Sequence, residues 1–330
     1  KLATLKGCYG LIVETENWVL AAVDKIRGYP LFFSEQGTRI LFSNSARIIR
    51  NAFDNIAHDE IALIEFQMAG YVTGSNTLYN NVKQMQAGEV FLWDKHSTKI
   101  SKTRYYSFYS HEMLKTSVSD LIEELAVITD TIFKRTVEDT ANKNVWVPLS
   151  GGLDSRLVLC KLKEHGCENL RAFSYGAPGN YEASVARHVS DALEVPWVFV
   201  PDTKKNSRNF FYSNIRKNYW EFADELQVVP NLHQIRALIQ LIKSNKIKPG
   251  DILINGRSGD FITGQHIPDL TEGHNERVLV DRIIAKHYKH RNDLLTQVNT
   301  DHIREKILVL INEHTKSPIE DEQEFARQYE

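Results

Sequence analysis

Cysteine is scarce in this chain: three residues in 330, at positions 8, 160 and 167. None has the close pairing of a zinc or redox motif, and the count suits no disulfide framework, so reduced thiols and a cytoplasmic setting are expected. An excess of charge of either sign is missing as well. Forty Lys and Arg against 42 Asp and Glu leave a formal net charge of −2, which gives no general attraction to nucleic acid. The basic run Lys243 to Lys248 falls between a helical and a strand pattern and reads as a solvated connection. No apolar stretch is long enough to span a membrane, no signal peptide is expected, and no repeat or low-complexity segment is found. A phosphate loop of the Gly-x-x-x-x-Gly-Lys-[Ser/Thr] type is absent too, which excludes the commonest ATPase architecture. With 42% hydrophobic residues, two ordinary cores can be filled.

Against these absences one segment stands out. Val145-Trp146-Val147-Pro148-Leu149 is an apolar strand that breaks into Ser150-Gly151-Gly152-Leu153-Asp154-Ser155 and then opens an amphipathic helix from about Arg156 to Gly166. Gly-Gly after a strand is common in plain turns, and Ser or Asp commonly caps a helix; the complete Ser-Gly-Gly-x-Asp-Ser pattern in that setting is far more specific. Two glycines let the backbone approach an anion, and the helix N-terminus adds its positive end. Leu149, Ser150, Gly151, Gly152, Leu153, Asp154 and Ser155 are therefore candidate nucleotide-binding residues, with hydroxyl donors at Ser150 and Ser155. Asp154 is a hard carboxylate placed to hold a magnesium ion on phosphates, so ATP and Mg²⁺ are the expected ligands.

The flanking pattern is strand, helix, strand, helix, strand: Leu170 to Tyr175, about Glu182 to Leu193, then Pro196 to Val200. Such alternation implies a parallel sheet whose carboxyl edge binds ligands. A fourth strand, Asp251 to Asn255, follows a helical stretch from Leu232 to Ser244 and runs into Gly256-Arg257-Ser258-Gly259-Asp260. A second glycine turn is thus delivered to the same edge, and Asp260 with Asp154 forms a candidate metal pair. Ser174 ends a strand at this edge and is a further nucleotide-binding candidate, as is Gly256. The expected fold is α/β, with a Rossmann-like parallel sheet.

At these residues the chain resembles the PP-loop ATP pyrophosphatases, of the adenine nucleotide alpha hydrolase type, and among them the synthetase domain of asparagine synthase. That family carries the same first loop and a later Gly-Glu-Gly-x-Asp-Glu loop. The N-terminal part agrees: a hairpin pattern over Leu5–Val13 and Trp18–Val23, then Asp24-Lys25-Ile26-Arg27-Gly28-Tyr29-Pro30-Leu31-Phe32-Phe33, which is similar to the family's Arg-Asp-x-x-Gly-x-x-Pro-Leu-Tyr segment. The order of the segments up to Leu92 matches the second half of a class II glutaminase domain of the Ntn type, a β-rich α+β part-domain. The resemblance implies two domains: residues 1–107, the C-terminal half of the glutaminase, and residues 116–330, a synthetase domain whose C-terminus is cut short. The family's nucleophilic cysteine is not Cys8, which lies in an apolar strand pattern and is expected to be buried.

The resemblance implies ATP-dependent activation of a carboxylate as its acyl-adenylate, then amidation with glutamine-derived ammonia. Glutamine and a small carboxylate acceptor are the expected partners, with neither nucleic acid nor membrane, and a homodimer is admitted. The second loop departs from the family: Arg257 and Phe261 stand where acids are usual, while Gly256, Asp260 and Gly264 match. Replacing an acid by a guanidinium reverses the local field and suits a larger anionic acceptor. Aspartate and a uronic acid sugar nucleotide, as used for surface polysaccharide, both stay open; the expected catalytic residues are Asp154, Asp260 and Arg257. An intramolecular amide-forming ligase of the β-lactam synthetase or lasso-cyclase type and a non-catalytic nucleotide-binding protein are the alternatives. Glu182, opening a helix, and His287 with His290, at helical spacing, are weaker candidates.

Overall fold

The computed structural model describes residues 2–37, 39–54, 56–108, 114–259, 263, 267, 275–314, 319 and 322–329. The chain forms two compact units that do not follow chain order: residues 1–111, 219–230 and 267–330 in the first, and residues 112–218 and 231–266 in the second.

The first unit begins with strands β1 (Gly10–Glu14), β2 (Trp18–Val23), β3 (Phe32–Gln36) and β4 (Arg39–Ser43), helices α1 (Ala46–Asn51) and α2 (Glu60–Ala69), then β5 (Lys83–Gln84), β6 (Glu89–Asp94) and β7 (Ile100–Arg104). They make two antiparallel sheets, ordered β1-β2-β6-β7 and β4-β3-β5. Alternate residues of β2, β3 and β6 point into a shared core of Ala21, Val23, Leu31, Phe33, Met85 and Phe91, as expected of half-buried strands. Asp24 follows β2 and is buried; its carboxylate accepts N–H bonds from Tyr9, Ile26 and Gly28 at 2.9 to 3.1 Å, which shapes the turn. Cys8 corrects the sequence reading. It precedes β1 and is exposed, because the strand starts only at Gly10.

The second unit carries α3 (Val118–Asp139), β8 (Val145–Pro148), α4 (Leu153–Glu164), β9 (Leu170–Gly176), α5 (Tyr181–Ala192), β10 (Trp197–Pro201) and α6 (Lys204–Phe211). After α7 (Asn214–Ala223) come α8 (His233–Lys243) and β11 (Ile252–Leu253). The four strands are parallel in the order β10-β9-β8-β11, which makes this the expected α/β fold. Both faces are covered. Val145 and Val147 point into one cluster with Leu159 and Leu162 of α4, while Trp146 points into the other with Ala237 and Leu241 of α8. Burial on both faces explains why β8 reads as an unbroken apolar run rather than an alternating one.

The strand order decides where a ligand can enter. From β8 the chain steps outward through β9 and β10, then returns to place β11 on the other flank of β8. The crevice at the carboxyl ends of β8 and β11 is therefore the topological switch point. Asp251 fixes β11 there: its carboxylate accepts from the Asn144 side chain at 2.8 Å, the Trp146 indole at 3.1 Å and the Lys248 N–H at 3.0 Å.

The chain ends with α9 (Glu276–His287), α10 (Gln297–His314) and α11 (Glu322–Tyr329), which belong to the first unit. Val280, Ile284, Tyr288, Ile303 and Ile307 share a core with Met68 and Ala69 of α2. At its edge Glu65 is fully buried and satisfied: Tyr288 donates at 2.9 Å, Thr73 at 2.6 Å, and Lys306 pairs with it. Burial and that carboxylate push the Tyr288 phenol far up. His287 ends α9 and His290 lies beyond it, so the two histidines do not share a helix face.

Burial opposes ionisation of Asp251, but its Asn144, Lys248 and Trp146 donors outweigh that and hold its carboxyl below the usual range. Its contribution to stability is then present above about pH 4 and is lost as pH falls through the lowered folded value. Asp251→Asn is expected to cost about 1–3 kcal/mol at pH 7, with the gap to the parent narrowing below pH 4. Urea titrations at neutral and acid pH measure this, and a gap independent of pH would overturn it.

Candidate functional site

The loop after β8 is held largely by its own atoms. Ser155 Oγ accepts from the Ser150 N–H at 3.1 Å and lies 3.0 Å from Ser150 Oγ, which in turn accepts from the Gly152 N–H at 3.2 Å. Arg156 ties the turn from outside, donating to the Gly151 carbonyl at 3.1 Å. One hydroxyl proton of the serine pair is therefore spent inside the loop. The N–H groups of Gly151 and Leu153 have no hydrogen-bond partner among the described residues; Leu153 opens α4 and Gly151 precedes its N-cap, at the end that the helix dipole makes positive.

Asp154 sits in the first turn of α4, half-buried, and the second loop reaches it directly. A Cβ on Gly256 would lie 2.6 Å from the Ser155 nitrogen and 3.0 Å from Asp154 Cβ; one on Gly259 would fall on the Asp154 carboxyl group itself. The turn after β11 packs on the start of α4, so a side chain at 256 would meet backbone, while one at 259 would displace the Asp154 carboxyl group. Sequence reasoning joined the loops through Asp260, which lies outside the described residues, as do Phe261 and Gly264. The described contact instead runs through the glycines.

Between the loops is a cavity of about 280 Å³ at the carboxyl edge of the sheet. Leu149, Ser150, Gly152, Asp154, Ser155, Ser174, Gly256 and Arg257 all line it, so the structure brings these sequence-selected residues together. Gly151 and Leu153 belong to the loop without lining that cavity. Ser174 contributes mainly by fixing the backbone: buried, it donates to the Leu149 carbonyl at 2.6 Å and accepts from the Trp197 indole at 2.9 Å. Glu182 also lines the cavity, in the first turn of α5 and close to Gly151. Tyr175, Gln234 and Asn255 complete that wall. Neither Gln234 nor Asn255 stood out by sequence, since a Gln opening an amphipathic helix and an Asn ending a strand are ordinary residues in ordinary places.

The residues present fit a nucleotide phosphate: two glycine turns and free N–H groups at a helix start. For a metal, Asp154 and Glu182 are the described carboxylates on the cavity wall, and no cluster of three or more acidic, His or Cys ligands exists among the described residues. That suits Mg²⁺, which binds through one or two carboxylates with substrate phosphates supplying further ligands.

Comparison with known proteins adds that the asparagine synthase family model matches residues 127–327 and that of the glutamine amidotransferase domain residues 1–106. The chain belongs to the asparagine synthase family. Asparagine synthetase [glutamine-hydrolyzing] 1 of Bacillus subtilis (strain 168) is 24% identical over 227 residues, 67% of this chain and 34% of that protein; the chain spans about a third of that relative's length. Among solved structures, an NH3-dependent NAD synthetase from Campylobacter jejuni is 11% identical with a TM-score of 0.31, covering 60% of this chain and 98% of that one. A glutamine-dependent NAD+ synthetase from Acinetobacter baumannii is 12% identical with a TM-score of 0.29, covering 96% and 69%. No helix among the described residues of this family member is long and apolar enough to cross a membrane.

A Cβ at position 256 would meet backbone, which cannot swing aside as a flexible side chain can. Gly256→Ala is therefore expected to destabilise the protein by about 1–3 kcal/mol through overpacking, read as a lower urea midpoint. A variant as stable as the parent would show that the loops are not in this contact.

Proposed function

We propose that this chain is the carboxylate-activating part, with an attached glutaminase part-domain, of a glutamine-dependent ligase. Residues 1–107 are read as the second half of the class II glutaminase domain and residues 116–330 as the synthetase domain. The observation that carries the reading is the convergence of two glycine turns on Asp154 at the switch point of a parallel sheet. Membership of the asparagine synthase family supports it.

In the reaction, an oxygen of the acceptor carboxylate attacks the α-phosphorus of ATP. The bond to the β-phosphate oxygen breaks, pyrophosphate leaves and an acyl-adenylate forms. Ammonia released from glutamine then attacks the acyl carbon, AMP departs with the bonding electrons, and the nitrogen gives up a proton to leave the amide. The N–H groups of Gly151 and Leu153 and the remaining serine hydroxyl proton are assigned to pyrophosphate. Asp154 and Asp260 are assigned to Mg²⁺, which would neutralise phosphate charge when bound. Such a site works by positioning and by charge complementarity more than by proton transfer.

The acceptor is assigned from Arg257, which lines the cavity on the α8 side. A guanidinium there favours a multiply charged anionic acceptor such as a uronic acid sugar nucleotide over aspartate, whose ammonium offsets one of its two carboxylates.

Asp154→Asn preserves side-chain volume and removes the charge. In full-length protein supplied with Mg-ATP, glutamine and acceptor, pyrophosphate release is expected to fall at least about 100-fold, in the range found when a charge-stabilising group is lost, while the thermal midpoint stays close to the parent's. Undiminished release by a folded variant would sink the assignment.

A further inference from the structure

Arg257 is exposed, and it is hydrogen-bonded at both ends. Its backbone N–H donates to Asn255 Oδ1 at 3.1 Å, and its guanidinium donates from Nη2 to Gln234 Oε1 at 3.2 Å. Gln234 is the second residue of α8 and lines the same cavity. Among the described residues Arg257 has no acidic partner, although Asp154 and Glu182 both border the cavity. An amide in this place does what a carboxylate would not: it orients the guanidinium and leaves its charge uncancelled. The other N–H donors of the fork have no protein partner among the described residues and remain for a ligand.

The chemistry of the reaction adds a constraint. Once a carboxylate is esterified to AMP it loses its charge, so a cation that recognised only that group would be left unpaired halfway through. A fixed guanidinium matches a group that keeps its charge through both half-reactions. Aspartate keeps an α-carboxylate, but its ammonium cancels it; a sugar nucleotide keeps a diphosphate.

We propose that Gln234 is a positioning residue that holds Arg257 over the cavity, and that the pair selects an acceptor which stays net negative after its carboxylate is activated. The inference rests on the amidation reading and makes a separate demand. Gln234→Glu distinguishes the positioning role from a merely structural one. Glutamate holds the guanidinium at least as firmly, so stability should be kept or raised, but it cancels the charge that binds the ligand.

The test is calorimetric titration of the full-length protein, with Mg²⁺ and α,β-methylene-ATP present, using UDP-glucuronate and aspartate as probes. The parent is expected to bind UDP-glucuronate at least about tenfold more tightly than aspartate. Gln234→Glu should raise the UDP-glucuronate Kd about tenfold with an unchanged or higher thermal midpoint, and Arg257→Gln should abolish the preference. The inference is overturned if Gln234→Glu binds as the parent does, or if the parent prefers aspartate or binds neither probe. Pyrophosphate release on the same preparations separates the two failures. Asp154-dependent release with an unaltered Gln234→Glu variant defeats only the role of the pair, whereas no Asp154-dependent release with any acceptor defeats the amidation reading.

Discussion

The close approach of the turn after β11 to the first turn of α4 is the constraint on which the site depends. Glycine at 256 and 259 permits it, and the sheet enforces it by placing β11 directly beside β8. If either turn stood a few ångströms farther out, Asp154 would face open solvent and the cavity would widen into a surface groove. The pinning of Asp251 by Asn144, Trp146 and the Lys248 N–H therefore matters beyond the strand it precedes, because β11 contributes only Ile252 and Leu253 to the ladder. A strand of two paired residues is too short to hold its own register firmly. Side chains supply what the ladder lacks.

The loop after β8 shows how a phosphate site is built without lysine. Its serines bond first to one another and to the loop's own N–H groups, so the turn has its shape before any ligand arrives. Preorganisation of this kind lowers the ordering cost of binding. Its consequence is that backbone donors, rather than both hydroxyls, are left to meet the ligand. Ser174 repeats the pattern one strand away: its hydroxyl is engaged by Leu149 and Trp197, and its value lies in holding β8 and β9 at their carboxyl ends.

Much of this was legible in the sequence because it is local. The apolar run at Val145 and the two glycine turns announced a parallel sheet and its ligand edge, and α4, α5 and α8 lie within a few residues of their patterns, whereas α3 and α6 were not read from the sequence. The helix after the first loop begins at Leu153 rather than near Arg156, since Gly152 serves as its N-cap. What was not legible is non-local. No pattern near Gln234 points to Arg257, because their meeting depends on where β11 sets its turn relative to α8. The exposure of Cys8 was misread because apolar alternation over Leu5 to Val13 does not mark where strand pairing starts. The core shared by α2 with Tyr288, Ile303 and Ile307 left no local trace either.

That shared core has a consequence for how the protein is made. Glu65 finds its cation at Lys306, 241 residues further along the chain. At translation rates of about 5–20 residues per second, the partner leaves the ribosome on the order of tens of seconds after the acid. Throughout that interval α2 has an apolar face without its cover and a carboxylate without its counter-ion. The first unit therefore cannot complete its fold from the N-terminus onward; it must wait until the second unit has been synthesised.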